Sequence, residues 1–119
     1  MKLSEAIIQG AQRHHQSFGA MLSGGKTDIF GCVYEITFGT PSGTNYYWEQ
    51  LIPKYPLLAS RRLRQCPVEG CDMQRKKFAS VLFHLNDFHR WSREKIAVEY
   101  VQLIEREVGL LNYSDDQFR

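Results

Sequence analysis

Four residues that commonly bind metal ions lie close together in this chain, in the order Cys66, Cys71, His84 and His89. Their spacing, Cys-x4-Cys-x12-His-x4-His, lies within the range of structural zinc sites built from two thiolates and two imidazoles. Zinc prefers sulfur and imidazole nitrogen, and four such donors complete a tetrahedron without an open position for a substrate. The spacing therefore predicts a structural Zn²⁺ site, which would add roughly 10 kcal/mol of folding free energy to a short, charge-rich segment.

The backbone between these residues is compatible with a shared ion. Pro67 and Gly70 lie between the cysteines, and both residue types favour a chain that turns back on itself. On a continuous helix, however, His84 and His89 would point about 140° apart. We therefore expect the last helical turn to tighten or open around residues 86–87, which are weak helix formers. The same helix is predicted to bury an apolar stripe of Phe78, Val81, Leu82, Leu85 and Phe88.

Length and composition fit one small globular domain. The 119 residues are 43% hydrophobic and 24% charged, as in ordinary globular chains. No apolar run approaches the roughly 20 residues of a membrane-spanning helix. The first ten residues lack the apolar core of a signal peptide, so we expect a cytoplasmic protein. Three cysteines in a reducing compartment favour metal binding or burial over a disulfide framework.

The expected fold is α+β and mostly helical, a small single domain built around a Cys2His2 zinc knuckle or finger. Residues 1–60 are assigned to a helical and irregular part of the core, with Ser4 as the N-cap of a first helix. Residues 61–108 comprise the zinc segment and a C-terminal helix that begins after the N-cap Ser92. Residues 109–119 are predicted to be a frayed tail. The run "IFGCVYEITFG" fits either a strand or a buried helix.

Two motifs that are typical of enzymes are present only in part. "AMLSGGKT", residues 20–27, matches a phosphate-binding loop loosely, but no buried strand precedes it, and we interpret it as a Gly-rich loop. Cys32 has apolar neighbours, which predicts a buried, unreactive thiol rather than a nucleophile paired with His14 or His15. We therefore expect neither an enzyme nor a protein that takes a small-molecule substrate.

Basic charge is concentrated around the Cys/His segment. Residues 61–95 contain nine Lys or Arg and four Asp or Glu, for a net charge of +5, whereas the rest of the chain has a net charge of −3. This distribution favours contact with the phosphates of DNA or RNA, although a solvated surface gives the same pattern. The predicted phosphate contacts are Arg75, Lys76, Lys77, Arg90 and Arg93.

A protein partner is the alternative to nucleic acid. The stretch "NYYWEQLIPKYP" is rich in aromatic residues and poor in charge, which is typical of the centre of a protein interface. In that case the zinc would be purely structural. The contact residues would be Tyr46, Tyr47, Trp48 and Tyr55, and the partner would be a host protein that is inhibited or redirected.

The ligand spacing resembles that of the C2H2 zinc finger, with the usual aromatic displaced to Phe78 and with Val81 at the usual leucine position. "FHLNDFHRWSREKIA" resembles the prokaryotic Ros/MucR finger, in which His-x4-His leads into a helix capped by Ser or Thr. "MKLSEAI", the cysteine pair and "HLNDFHRWSREKIA" together resemble uncharacterised small phage and prophage proteins, whose CPxC-like pair is spread to x4 here. These resemblances imply a zinc-binding, phage-type regulatory or host-interaction protein of the bacterial host cytoplasm.

Overall fold

In the computed structural model, which describes residues 1–42 and 44–110, helix α1 (Leu3–Ala11) packs against helix α2 (Ile29–Phe38). The N-cap of α1 is Lys2, so the prediction that Ser4 caps this helix is wrong. Ser4 is buried in the first turn instead, where its hydroxyl donates to the Glu105 carboxylate at 2.6 Å. The contact ties the start of the chain to the last helix.

The ambiguous apolar run is a helix, α2. Asp28 caps its first turn, because the carboxylate accepts from the Gly31 backbone N–H at 2.7 Å, and Gly39 ends it with a φ of 82°. Gly31 also allows the closest backbone approach in this region, since a Cβ at this position would overlap the carbonyl of Met21. The two caps therefore set the ends of α2, and Gly31, which has no side chain, allows α2 to pack closely against the backbone of Met21.

Short elements connect the helices. Strand β1 (Leu22–Ser23) pairs with β2 (Lys26–Thr27) as an antiparallel hairpin, so the Gly-rich motif forms a tight turn rather than an open loop. After α2, the chain forms two 3-10 helices, Asn45–Leu51 and Pro56–Ala59.

The second strand pair precedes the third helix. Strand β3 (Leu63–Arg64) pairs antiparallel with β4 (Lys76–Lys77), with Leu63 opposite Lys77, and helix α3 (Phe78–Asp87) follows β4 directly. The residues between β3 and β4 form a loop that contains both cysteines. The described chain is thus about half helical with two short antiparallel strand pairs, as the α+β expectation required.

The last helix is continuous but changes its hydrogen-bond pattern. It consists of Arg93–Ile96, a π-helical segment Ala97–Val101 and Gln102–Leu110, which we call together the C-terminal helix. Ser92 is its N-cap, as predicted, and its hydroxyl accepts from the Lys95 N–H at 3.1 Å. The helix reaches into the predicted frayed tail (109–119) as far as residue 110, and residues 111–119 lie outside the part that the structure describes.

A buried asparagine fixes α3 against the N-terminal part of the core. The Asn86 side-chain oxygen accepts from the Ile29 N–H at 3.2 Å and from the Gln16 side chain at 2.9 Å, and its amide donates to the Ser17 carbonyl at 3.0 Å. The residue is fully buried.

Among the described residues, none of the helices has the length and apolar character that crossing a bilayer requires.

Candidate metal centre

A tight turn brings the two cysteines together. The Cys71 N–H donates to the Val68 carbonyl at 3.2 Å, and Gly70, the third residue of this turn, has a φ of 82° that favours glycine. The paired strands β3 and β4 hold the two ends of the loop side by side. Cys66 is buried and Cys71 is half-buried, so both thiols face inward. This confirms the expected fold-back between the cysteines.

An opened helical turn brings in the histidines. Helix α3 ends at Asp87, and the His89 N–H donates to the His84 carbonyl at 3.2 Å, which is a bond between residues five apart. The widened turn returns His89 to the side of His84, and the two ring centroids are 4.7 Å apart. The sequence predicted that the turn would have to tighten or open, and the structure shows that it opens.

The four side chains converge on one point. One ligand atom from each of Cys66, Cys71, His84 and His89 lies within 4.8 Å of all the others, which is close enough for them to hold a metal ion. The Cys71 sulfur and the His84 Nε2 are 3.5 Å apart. Sulfur and nitrogen bound to one tetrahedral ion lie about 3.5 Å apart, given metal distances of about 2.3 Å and 2.0–2.1 Å.

The electrostatics of the cluster also fit a cation. The Nε2 atom of His89 is buried and has no hydrogen-bond partner among the described residues, so its lone pair is available to an ion. Burial, together with His89, lowers the pKa of His84, which favours the neutral imidazole that metals bind. Burial, followed by the neighbouring Cys71, raises the pKa of the Cys66 thiol. A bound cation reverses this, because it stabilises the thiolate.

Phe88 does not occupy its predicted position. The apolar stripe of α3 was predicted to include it, but Phe88 is 70% exposed, whereas Phe78, Val81, Leu82 and Leu85 are buried. The opened turn rotates Phe88 away from the core. Its ring stacks on His84 instead, at a centroid distance of 5.1 Å and an interplanar angle of 13°. Phe88 thus lies against the metal ligands on the surface of the domain.

One of the predicted phosphate contacts is wrong. Arg93 is only 4% exposed, and its guanidinium donates to the carbonyls of Thr27, Ala11 and His14 and to the Thr27 hydroxyl. It is therefore an internal anchor that joins the C-terminal helix to the N-terminal half. The other four predicted contacts, Arg75, Lys76, Lys77 and Arg90, are exposed.

The predicted aromatic surface is only partly exposed. Tyr47 is 43% exposed, but Tyr55 is 7% exposed and its hydroxyl lies 3.0 Å from that of Thr37, so Tyr55 is wrong as a surface contact. Trp48 is half-buried and packs against the ring of Phe30 at 5.2 Å. The side chain of Tyr46 lies outside the part that the structure describes.

The remaining candidate residues have structural positions. Cys32 is fully buried, which confirms the expectation of a buried cysteine, and burial raises the pKa of its thiol to about 12. The Nε2 atom of His14 lies 2.9 Å from a carboxylate oxygen of Glu35, which accepts the hydrogen bond. Sequence reasoning did not assign a role to Asn86, and no local signal reveals one, because its partners lie about 60–70 residues away in the chain.

Comparison with known proteins leaves this geometry as the main guide to function. No family model matches the chain, and no curated protein or solved structure shows significant similarity to it. The fold and the site therefore define the class: a small domain, about half helical, with a Cys2His2 cluster that is able to hold a metal ion.

Proposed function

We propose that this chain is a zinc-stabilised domain that binds nucleic acid through the basic surface beside its metal centre. Two sulfurs and two imidazole nitrogens in a closed arrangement suit Zn²⁺ better than the oxygen-preferring ions Mg²⁺ and Ca²⁺. Four protein donors leave no coordination position for a substrate, so the role we propose for the ion is structural and not catalytic. The resemblance to zinc fingers and to phage proteins points in the same direction.

The observation that carries the nucleic-acid proposal is an exposed cationic row. Arg75, Lys76 and Lys77 lie consecutively where the cysteine loop enters α3, and Arg61 is exposed beside Lys77. We call these four residues the basic surface. None of them has an ion-pair partner among the described residues. The nearby Arg62, by contrast, contacts the Glu107 carboxylate at 2.7 Å, which lowers its value as a phosphate ligand.

Arg90 lies apart from the basic surface. It follows the C-terminal end of α3, whereas Lys77 precedes the N-terminal end, and a helix of ten residues is about 15 Å long. Its guanidinium lies over the Phe18 ring, 4.5 Å from the centroid, and the side chain is exposed. A strand that follows α3 along its length would meet the basic surface first and Arg90 last. We therefore retain Arg90 as a secondary phosphate contact.

Charge reversal tests the proposal. The triple change Arg75→Glu, Lys76→Glu and Lys77→Glu is expected to weaken binding to nucleic acid by more than about tenfold and to reduce the slope of log affinity against log salt by about 3. The matched control reverses Arg13, Lys26 and Lys54, which are also exposed and give the same net charge. Equal losses in both variants would show a non-specific charge effect and contradict the basic surface.

Exposed Phe88 supports a second candidate function, the binding of a host protein. A phenylalanine that is 70% exposed next to the metal ligands is an unusual surface residue, and Phe18 at 39% exposure lies close to it through Arg90. Under this function, Phe88→Ser weakens partner binding while the triple charge reversal does not. Isothermal titration with a captured partner, after nuclease treatment, separates the two functions.

A further inference from the structure

A groove of about 390 Å³ runs between α3 and the two 3-10 helices. Its volume lies within the range of about 300–1,000 Å³ that is typical of ligand pockets. Apolar side chains form most of its walls, and Arg61, Lys77 and Ser80 lie at its polar rim. The apolar lining consists of Trp48, Ile52, Leu58, Ala59, Ala79 and Phe83. The basic surface therefore borders a concave site and is not isolated on a flat one.

The face of α3 that lines the groove has a specific register. Lys77 immediately precedes the helix, Ser80 is its third residue and Phe83 its sixth. In fingers that read DNA, these are the positions whose side chains enter the major groove. Here the two 3-10 helices lie opposite these positions, with Trp48 and Leu58 across the groove. A duplex cannot place its major groove over a helix face that is walled on one side, whereas one strand with unpaired bases can enter.

Rigid aromatic rings and cations occur together in this groove. The ring of Phe83 packs against Phe30 at a centroid distance of 4.2 Å and meets Trp48 edge to face at 6.0 Å and 87°. Both lining rings are therefore held in place before a ligand binds, which reduces the entropy lost on binding. Unpaired bases stack on such rings, while cations at the rim bind the phosphates between them.

The charge balance of the rim favours the same ligand. Arg61 and Lys77 lie at the rim, with Arg75 and Lys76 in the same basic surface, against the single carboxylate of Glu49. A polyanion is therefore attracted to the rim of the groove at Arg61 and Lys77. An acidic peptide shares this attraction, but its backbone does not supply a flat base at every residue to pack against the rings of Trp48 and Phe83.

We propose that this groove binds single-stranded nucleic acid, with one base against Trp48 and Phe83 and the adjoining phosphates on Lys77 and Arg61. The inference rests on the proposed nucleic-acid function and specifies its ligand. It also assigns a role to Phe83 and Ser80, which lie in the helix that carries His84. In this proposal, α3 binds a single strand of nucleic acid and does not read a duplex as the helix of a DNA-binding finger does.

Tryptophan fluorescence gives a direct test. The zinc-loaded Trp91→Phe protein retains Trp48 as its one tryptophan, and it is titrated with a 12-nucleotide oligo(dT) and with a duplex of the same length. We expect quenching of Trp48 by the single strand and at least about tenfold weaker binding of the duplex. Equal affinity for the single strand and the duplex, without quenching of Trp48, would contradict single-strand binding in the groove but would still be compatible with the proposed nucleic-acid function. Absence of binding to either form would overturn both.

A comparison of two variants, one with a substitution at the groove and one with a substitution outside it, provides a second test. Ser80→Glu places a carboxylate at the groove rim in the first turn of α3, where an acidic residue is tolerated by the helix. It is expected to weaken oligo(dT) binding by about tenfold or more, while the zinc content stays unchanged. Ser23→Glu is the control, since Ser23 is exposed and does not line the groove. Unchanged binding in Ser80→Glu, or equal quenching of Trp48 by a poly-glutamate peptide, would contradict the assignment.

Discussion

The α1–α2 pair and the segment 61–77 are stabilised in different ways. In the pair, apolar side chains such as Ile7, Phe30 and Val33 are almost fully buried, and each contributes about 1.5–3 kcal/mol. In the segment 61–77, only Arg64 and Cys66 are buried, and the two strands contain two residues each. Apolar packing therefore contributes less to its conformation, and we expect that conformation to depend on a metal ion held by the four sulfur and nitrogen donors.

This difference shows where the basic surface gets its rigidity. Arg75, Lys76 and Lys77 are exposed and contribute nothing to the core, yet they lie between a metal-binding turn and a helix with a buried face. The Cys/His cluster lies at one end of this row, and the buried Phe78, which stacks on Tyr100 at 5.7 Å, lies at the other. The exposed basic residues are thus placed by two neighbours of different chemistry.

The largest effect is expected from loss of the metal. Chelation, or Cys66→Ser, removes roughly 10 kcal/mol of metal-linked folding free energy, so residues 61–77 and the end of α3 should lose their structure. Hydrogen exchange should rise there first, and elemental analysis should find no stoichiometric zinc. Cys32→Ala is the matched control, which should keep one zinc per chain. Full zinc content and unchanged exchange in Cys66→Ser would refute the metal centre.

A backbone clash should affect the other region instead. Gly31→Ala places a Cβ against the Met21 carbonyl and should destabilise the domain by about 3 kcal/mol, as measured by urea unfolding. Gly109→Ala is the control, because a Cβ in this helical position meets open space and should stabilise by about 0.5–1 kcal/mol. If Gly31→Ala lowered the free energy of unfolding no more than the control does, the close packing of α2 against Met21 would be contradicted.

The buried arginine joins the C-terminal helix to α1 and β2 and should have an intermediate effect. Arg93→Met leaves buried carbonyls of Thr27 and Ala11 without their donor, which should cost about 2–3 kcal/mol in thermal or urea unfolding. Arg106→Met, at an exposed position of the same helix, should change stability by less than about 0.5 kcal/mol. Nucleic-acid affinity of folded Arg93→Met should stay unchanged, and a selective loss of affinity would restore Arg93 as a phosphate contact.

The smallest effect concerns pH. Burial raises the pKa of Asp28 from 3.8 to about 6, so the folded protein binds this proton more tightly than the unfolded chain. Its contribution to stability is present below about pH 4 and is lost as the pH rises through about 6. Asp28→Asn, which keeps the capping oxygen, should therefore stabilise by about 1–2 kcal/mol at pH 8 and by less at pH 5.

The pH prediction needs a control for metal release. Asp72→Asn, at an exposed position, should leave the pH profile unchanged when both proteins are unfolded in urea with excess zinc. A stabilisation by Asp28→Asn that is constant from pH 5 to pH 8 would indicate that the carboxyl of Asp28 does not titrate in this range.

Predictions from the sequence succeeded where local chemistry decides. Cysteine and histidine spacing identified all four clustered ligands, Gly70 indicated the turn between the cysteines, and Ser92 indicated the start of the last helix. The cap and the turn depend on residues within about one helical turn of each other, and the four clustered residues lie in the single stretch from Cys66 to His89. Ser92 caps its own helix and Gly70, with its positive φ, closes its own turn, whereas Ser4 was wrongly predicted as a cap because its hydroxyl meets the distant Glu105.

The failures concern residues whose surroundings come from distant parts of the chain. Arg90 and Arg93 look alike in a basic sequence, but Arg93 meets carbonyls from α1 and β2 and is buried, while Arg90 is exposed. Tyr55 likewise becomes part of the core through Thr37, and Phe88 leaves the core because one helical turn opens.

The sequence by itself therefore determined the Cys/His cluster, the Gly70 turn, the Ser92 cap and the concentration of basic charge around residues 61–95. Only the tertiary structure decided which charges reach solvent and which face of α3 lies across from the 3-10 helices. The physical reason is that caps, turns and ligand spacing are short-range properties of the chain. Burial is a property of the packed whole, since it depends on which distant carbonyls and rings occupy the same space.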